Sequence, residues 1–309
     1  MSVCSLPSPA SAHAVTPPRR RAVRGGSRSC RARSNIFMSP LSGSMALGMT
    51  MNGASGSTFD EMRSTLGFGL QSSAEINASY RSLIDMLRAL DRTVDVRIAN
   101  AIWYRAGFPF ETSFLEESKQ FFDAKVAPLD FSAPGAVPTI NDWVKASTNG
   151  KIDNIVDDPI AADAVLYLIN AIYFNGSWTT RFDRSLTKPD QFTTVDGSAA
   201  PIAMMRRTDT VRVNETADAQ VVELPYGGGA FAMTILSLAQ RPAVVVRDAA
   251  GLPGRRRRLQ AHVAGGREIT VTCTCGPQVI RIDRPFVFAI RERLSGTILF
   301  LGTIVRPPA

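Results

Sequence analysis

Residues 164–174 read AVLYLINAIYF, a run rich in β-branched and aromatic side chains with one polar residue, Asn170. A strand with one wet face alternates apolar and polar residues. A near-continuous apolar run instead marks a central strand buried on both faces. Such a strand needs covering layers on both sides, and the flanking sequence supplies candidates for them.

Upstream, a helix is expected from about Thr139, through Trp143, to the stop at Asn149-Gly150. A second is expected over Glu111–Ala124, preceded by a strand at Val94–Arg105 (VDVRIANAIWYR). Between Ala74 and Leu90, Ile76, Tyr80, Leu83, Ile84, Leu87 and Leu90 form one helical stripe. Thr58-Phe-Asp-Glu61 has the form of a capping box, placing a helix start near Phe59. Ser39-Pro40 is an N-cap followed by Pro at the first helical position.

Downstream, strands are expected at Ala219–Pro225 and Phe231–Ala239. Pro285–Arg291 and Thr297–Val305 form a hairpin around Ser295-Gly296. Helices come first and strands follow, without βαβ alternation. The fold class is therefore α+β with mostly antiparallel sheets.

The chain has 309 residues, 45% of them apolar and 20% charged, enough for a large core in one domain. No apolar run reaches the roughly 20 residues of a membrane helix, so no membrane partner is expected. Four Cys and two His leave little for metal centres or His-based catalysis, so an enzyme is not expected. The formal charge of +8 sits in two Arg-rich, Lys-free blocks, residues 1–34 and 241–270, and the rest is mildly acidic. Residues 1–34 read as a disordered Arg/Pro/Ser-rich tail without an evident signal peptide. Residues 35–309 form the domain, with 240–270 as an atypical Arg-rich insert. Arg255–Arg258 lacks interleaved aromatics, and no nucleic-acid partner is expected.

Several catalytic patterns fail on inspection. Ser185-Leu-Thr-Lys188 lacks its companion motifs, and Pro189 opposes the helix it requires. A Ser/His/Asp triad would have to draw on His13 or His262, both in the Arg-rich blocks. Tyr226-Gly-Gly-Gly229 is a turn without the Lys and helix of a phosphate loop. Cys273-Thr-Cys275 has no second ligand pair for zinc. Asn77, Asn175 and Asn214 begin glycosylation sequons.

Five stretches, in order, resemble the serpin family of serine protease inhibitors. They are Asn35-Ile-Phe-Met-Ser-Pro-Leu-Ser42 with Asn52-Gly-Ala-Ser-Gly56, then Ile140-Asn-Asp-Trp-Val144 with Thr148-Asn-Gly-Lys-Ile152. Leu168-Ile-Asn-Ala-Ile-Tyr-Phe-Asn-Gly-Ser-Trp178 is similar to the third strand of the serpin main sheet. Asp283-Arg-Pro-Phe-Val-Phe-Ala-Ile-Arg291 and Gly296-Thr-Ile-Leu-Phe-Leu-Gly302 are similar to the last two strands. The resemblance covers about 35–240 and 277–307.

The resemblance implies a suicide-substrate mechanism. A reactive-centre loop, here near 268–280, is cleaved by a serine protease and inserts into the main sheet while still bound as an acyl-enzyme. It implies that Ser39, Ser42 and Asn170 are the polar cluster where the sheet opens, and that Trp178 lies at the top of the opening. Family spacing from Pro285-Phe286 puts the scissile bond at Thr274-Cys275, with Cys273 as the alternative. Without Arg or Lys there, subtilisin- or elastase-like proteases are favoured over trypsin-like ones. It further implies a monomeric, extracellular protein without cofactors.

Past Ala239 the resemblance stops. Further helices, two main-sheet strands and a hinge of small residues are replaced by residues 240–267, and Arg258–Arg267 reads RLQAHVAGGR. The chain thus reads as a truncated or frame-disrupted serpin. A non-inhibitory serpin-fold remnant, serving as protease substrate or binding scaffold, is the alternative function.

Overall fold

In a computed structural model, residues 34–216, 219–238 and 280–307 are described in full, with Val3–Ser5 as backbone only. In chain order the elements are β1 (Val3–Ser5), β2 (Ile36–Met38), α1 (Pro40–Met51), α2 (Gly56–Thr65), α3 (Ser73–Ala89), β3 (Val94–Arg105), α4 (Thr112–Phe122) and β4 (Ala124–Leu129). There follow α5 (Ala136–Ser147), β5 (Leu166–Gly176), β6 (Lys188–Thr193), β7 (Ala199–Met204), β8 (Arg212–Glu215), β9 (Ala219–Tyr226), β10 (Phe231–Leu238), β11 (Phe286–Glu292) and β12 (Ile298–Ile304).

Three sheets form among the described residues, ordered β1-β5-β3-β4, β2-β12-β11-β10-β9-β8 and β6-β7. All pairs are antiparallel except β3–β4. The class is α+β, as the order of patterns indicates. Asn35 ties the start of this body to its end, accepting from the Val305 amide at 2.9 Å and donating to the Arg306 carbonyl at 2.8 Å.

The apolar run in β5 has the burial it calls for. Leu166 and Leu168 point into a core shared with α1, α3 and α4, through Met45, Ile76, Ile84 and Phe122. Tyr167 and Ile169, one residue out of phase, meet Ile140 and Val144 of α5 in a second core. Alternate side chains of a strand take opposite faces, so two apolar layers require an unbroken apolar sequence. In β3, Ile98 and Ile102 join the first core while Ala101 and Trp103 join the second.

Several boundaries differ from expectation. The helix expected at Phe59 begins at Gly56 behind Ser55, with no side-chain cap from Thr58. The capping box that does form is Ser72 with Glu75, opening α3. The helix expected to reach Ala124 stops at Phe122, because Asp123 turns left-handed (φ 55°) and Ala124 starts β4. Helix α5 begins at Ala136 rather than Thr139, since Pro138 is tolerated in a first turn that needs few amide donors. Val3–Ser5, within the tail expected to lack regular structure, forms β1. The remainder of 1–34 up to residue 33, and the 240–270 insert, lie outside the described residues. Of the three sequon asparagines, Asn77 is only 1% exposed and donates to Glu117.

Candidate functional site

The site forms where the start of α1 meets the middle of β5. Pro40 at the first helical position and the Ser39 cap set the start of α1: Ser39 Oγ accepts from the Ser42 amide at 3.1 Å and donates to the Leu299 carbonyl at 2.6 Å. Seven of the twelve residues of α1 are buried, so the helix lies deep between the two larger sheets. That depth brings Ser42 Oγ to the Asn170 carbonyl at 3.3 Å.

Asn170 is fully buried. Its Nδ2 donates to Asn100 Oδ1 at 2.6 Å and to the sulfur of Met45 at 3.6 Å. Asn100 in turn donates to the Phe122 carbonyl at 2.6 Å. Asn170 Oδ1 is buried without a hydrogen-bond partner, an unusual state for a native polar atom. Beside this cluster, Phe37, Met38, Ser39, Ser42, Ile172 and Phe300 line a mainly apolar cavity of about 190 Å³.

One edge of β5 pairs with β3 along its whole length, from Leu166 opposite Tyr104 to Gly176 opposite Val94. On the other edge, among the described residues, only Tyr167–Ile169 pair, with Val3–Ser5. A strand buried on both faces but open along one edge has unpaired backbone groups that can take another strand.

Past the end of β5, Trp178 stacks on Tyr226 with ring centroids 4.3 Å apart and planes 14° apart. Thr179 donates to the Pro225 carbonyl at 3.0 Å and Gly227 donates to the Ser177 carbonyl at 2.8 Å, pinning this end to the six-stranded sheet. Burial pushes the Tyr226 hydroxyl up to about 12.

Ser39, Ser42 and Asn170 therefore meet in one hydrogen-bonded cluster, whereas Trp178 belongs to a separate aromatic contact. Thr274, Cys275, the alternative Cys273 and the hinge window lie outside the described residues. Sequence reading missed two members, Asn100 and Tyr226. The signal for Asn100 is a repeated Asn-Ala-Ile, at Asn100-Ala-Ile102 and Asn170-Ala-Ile172, whose two asparagines lie directly opposite each other in the antiparallel pair. Among the described residues, no three His, Cys, Asp or Glu side chains converge as metal ligands would, and no helix is long and apolar enough to cross a membrane.

Residues 27–241 match the family model described as Serpin (serine protease inhibitor). The chain belongs to the serpin family. Neuroserpin from Homo sapiens is 29% identical to this serpin over 355 residues, covering 88% of the chain and 86% of neuroserpin. An uncharacterized serpin-like protein from Methanosarcina acetivorans is 31% identical over 205 residues, 65% of the chain but only 48% of that relative, so the match spans about half of its length. In fold, the chain is similar to the thermophilic serpin tengpin in the native state, with TM-score 0.71, 22% identity, and 90% of each chain covered. It is also similar to human thyroxine-binding globulin complexed with its ligand, with TM-score 0.70 and 23% identity, over 89% of this chain and 93% of that one.

Proposed function

We propose that this serpin is a suicide-substrate inhibitor of a serine protease, acting outside the cell as a monomer and without a cofactor. The observation that carries this reading is the edge of β5: a strand buried on both faces, paired on its far edge over three residues among the described residues, beside a hydrogen-bonded polar cluster. A cleaved loop can pair with this edge, and the gain in ladder bonds and buried surface drives its insertion. Ser39, Ser42 and Asn170 exchange hydrogen bonds as the edge accommodates a strand, and Asn170 Oδ1 holds a spare acceptor for it. Trp178 holds the end of the opening against the neighbouring sheet.

In the covalent step, the protease serine oxygen adds to the carbonyl carbon of Thr274. The Thr274–Cys275 C–N bond breaks, and the new amine of Cys275 takes the proton released by the serine hydroxyl. An ester between Thr274 and the protease remains. Cleavage after Cys273 is the alternative register. The absence of Arg and Lys there favours subtilisin- or elastase-like proteases.

A second reading rests on the hinge window RLQAHVAGGR. Inserting it would carry Arg258, His262 or Arg267 toward the interior, where an unpaired charge costs several kcal/mol and opposes insertion. On that reading the protein is a substrate or binding scaffold of serpin fold. Mixing the purified protein with subtilisin-, elastase- and trypsin-like proteases separates the two on a denaturing gel. A boiling-resistant band at the summed mass is expected from the first two enzymes. Clean cleavage without that band would overturn inhibition and support the second reading.

A further inference from the structure

The residues that occupy the open edge of β5 come from the chain's own N-terminal end. Val3 lies opposite Ile169, Cys4 opposite Leu168 and Ser5 opposite Tyr167, in an antiparallel ladder. This contact joins the first few residues to a strand more than 160 positions away, next to the Ser42–Asn170 hydrogen bond. We propose that residues 3–5 are a built-in competitor for this edge, a short strand that must leave before any other strand can pair there. The proposal rests on the reading of this edge as the acceptor of an inserting strand.

Sequence and geometry support a displaceable plug over a permanent strand. Val-Cys-Ser is compatible with extended backbone, but Pro7 and Pro9 follow closely and have no N–H to give to a ladder. These prolines limit the ladder beyond Ser5, on the Leu166 side, and among the described residues Asn170 and everything beyond it on this edge are unpaired. Strands of so few residues hold only while something else fixes them. Here that is covalent continuity. Thirty residues connect Ser5 to the first residue of β2, a contour of up to about 100 Å, which does not limit the reach of the segment. A tethered segment competes as if present at about millimolar concentration. It can thus hold the edge against a loop of the same chain yet yield once cleavage frees that loop. The neighbouring interior also suits such a role, because Leu168 and Ile169 pack into the two cores formed with α1, α3, α4 and α5.

The test uses the full chain and a double substitution, Val3→Pro with Cys4→Pro, which removes consecutive amide donors without shortening the tail. A labelled synthetic peptide of residues 1–10 is titrated onto both proteins. The variant is expected to bind it about tenfold more tightly, because its edge is no longer partly occupied. Backbone amides of Tyr167–Ile169 should exchange with deuterium faster in the variant and regain protection when the peptide is added. Equal peptide affinity in both proteins, or unchanged exchange at Tyr167–Ile169, overturns the proposal. Protease trapping is scored separately on both proteins. If neither forms a covalent band while peptide affinity and exchange change as expected, the inhibitory reading fails and the plug stands. If both form it at the same rate, the plug does not compete with the loop and the proposal fails.

Discussion

Asn170 donates to Asn100 across the β3–β5 pair at 2.6 Å, while its own carbonyl oxygen Oδ1 is buried without a partner. The two amides face each other in register, flanked by the buried Ile98, Ile102 and Leu168 of the first core. Asn100 passes the chain of bonds on to the Phe122 carbonyl at the end of α4. One polar relay thus links both central strands to a helix end, with one buried acceptor left over.

Breaking this relay in the middle should cost more than removing it. Asn100→Leu leaves the Asn170 amide and the Phe122 carbonyl unsatisfied, each costing about 1–3 kcal/mol. Adding Asn170→Leu should return part of that loss, since two apolar partners leave nothing unpaired between them. Urea unfolding of both singles and the double tests this. Strictly additive losses would mean that the bond contributes no coupling.

Gly48→Ala should destabilise the protein, although Ala is favoured over Gly inside a helix by about 1 kcal/mol. A Cβ there would lie 2.6 Å from Tyr80 Cε2. The Tyr80 ring has little room to yield: it is 4% exposed, packs on Phe122, and its hydroxyl bonds to both Ser44 Oγ and the Ser44 carbonyl. Overpacking of this kind costs about 1–3 kcal/mol and outweighs the helix gain. In a Tyr80→Leu background the same substitution should become neutral or stabilising, as read from the denaturation midpoint.

Glu292 should make the fold acid-sensitive. Burial acts to raise its carboxyl, but the Ser295 hydroxyl and the amides of Thr297, Ser295 and Leu294 outweigh burial and hold it below its ordinary value of 4.5. A carboxylate with a lowered folded-state pKa stabilises the fold above its unfolded value, and that stability is lost as pH falls through the folded one. Glu292→Gln should lower stability at neutral pH by about 1–3 kcal/mol. The acid-induced drop should shrink by the same interaction. A parallel pH profile in the variant would refute this.

Trp178→Ala should loosen the end of β5 by about 2 kcal/mol, less than the roughly 3–5 of a fully enclosed Trp because its ring is partly exposed. It also uncovers Tyr226, whose ionisation should fall from about 12 toward the ordinary value near 10. Alkaline absorbance titration should show one fewer late-ionising tyrosine. An unchanged titration would mean that other groups keep Tyr226 dry.

Much of the fold is legible locally. The run at 164–174 carries its two-sided burial in composition, and Val94–Arg105 carries both its length and its strand character. Asn149 and Gly150 both adopt positive φ, ending α5 where the sequence stops being helical. Short edge strands such as β2, β4 and β8 were invisible because so few residues hold no period, and their state comes from the partner they pair with. The capping box illustrates the same limit: Thr58 and Glu61 have the right spacing, yet the helix had already started at Gly56, while Ser72 and Glu75 realise the motif.

By itself, the sequence determined the order of elements, the apolar faces, the family and the residue types available to the site, because these depend on local propensity, periodicity and motif. Only the tertiary structure decided that Asn100 is the partner of Asn170, that Tyr226 covers Trp178, and that residues 3–5 rest on the edge of β5. Each of these pairs is tens to more than a hundred residues apart or set by strand register, and local pattern says nothing of which distant groups will meet. Register and helix depth do, and both are set by how the two apolar cores close around β5.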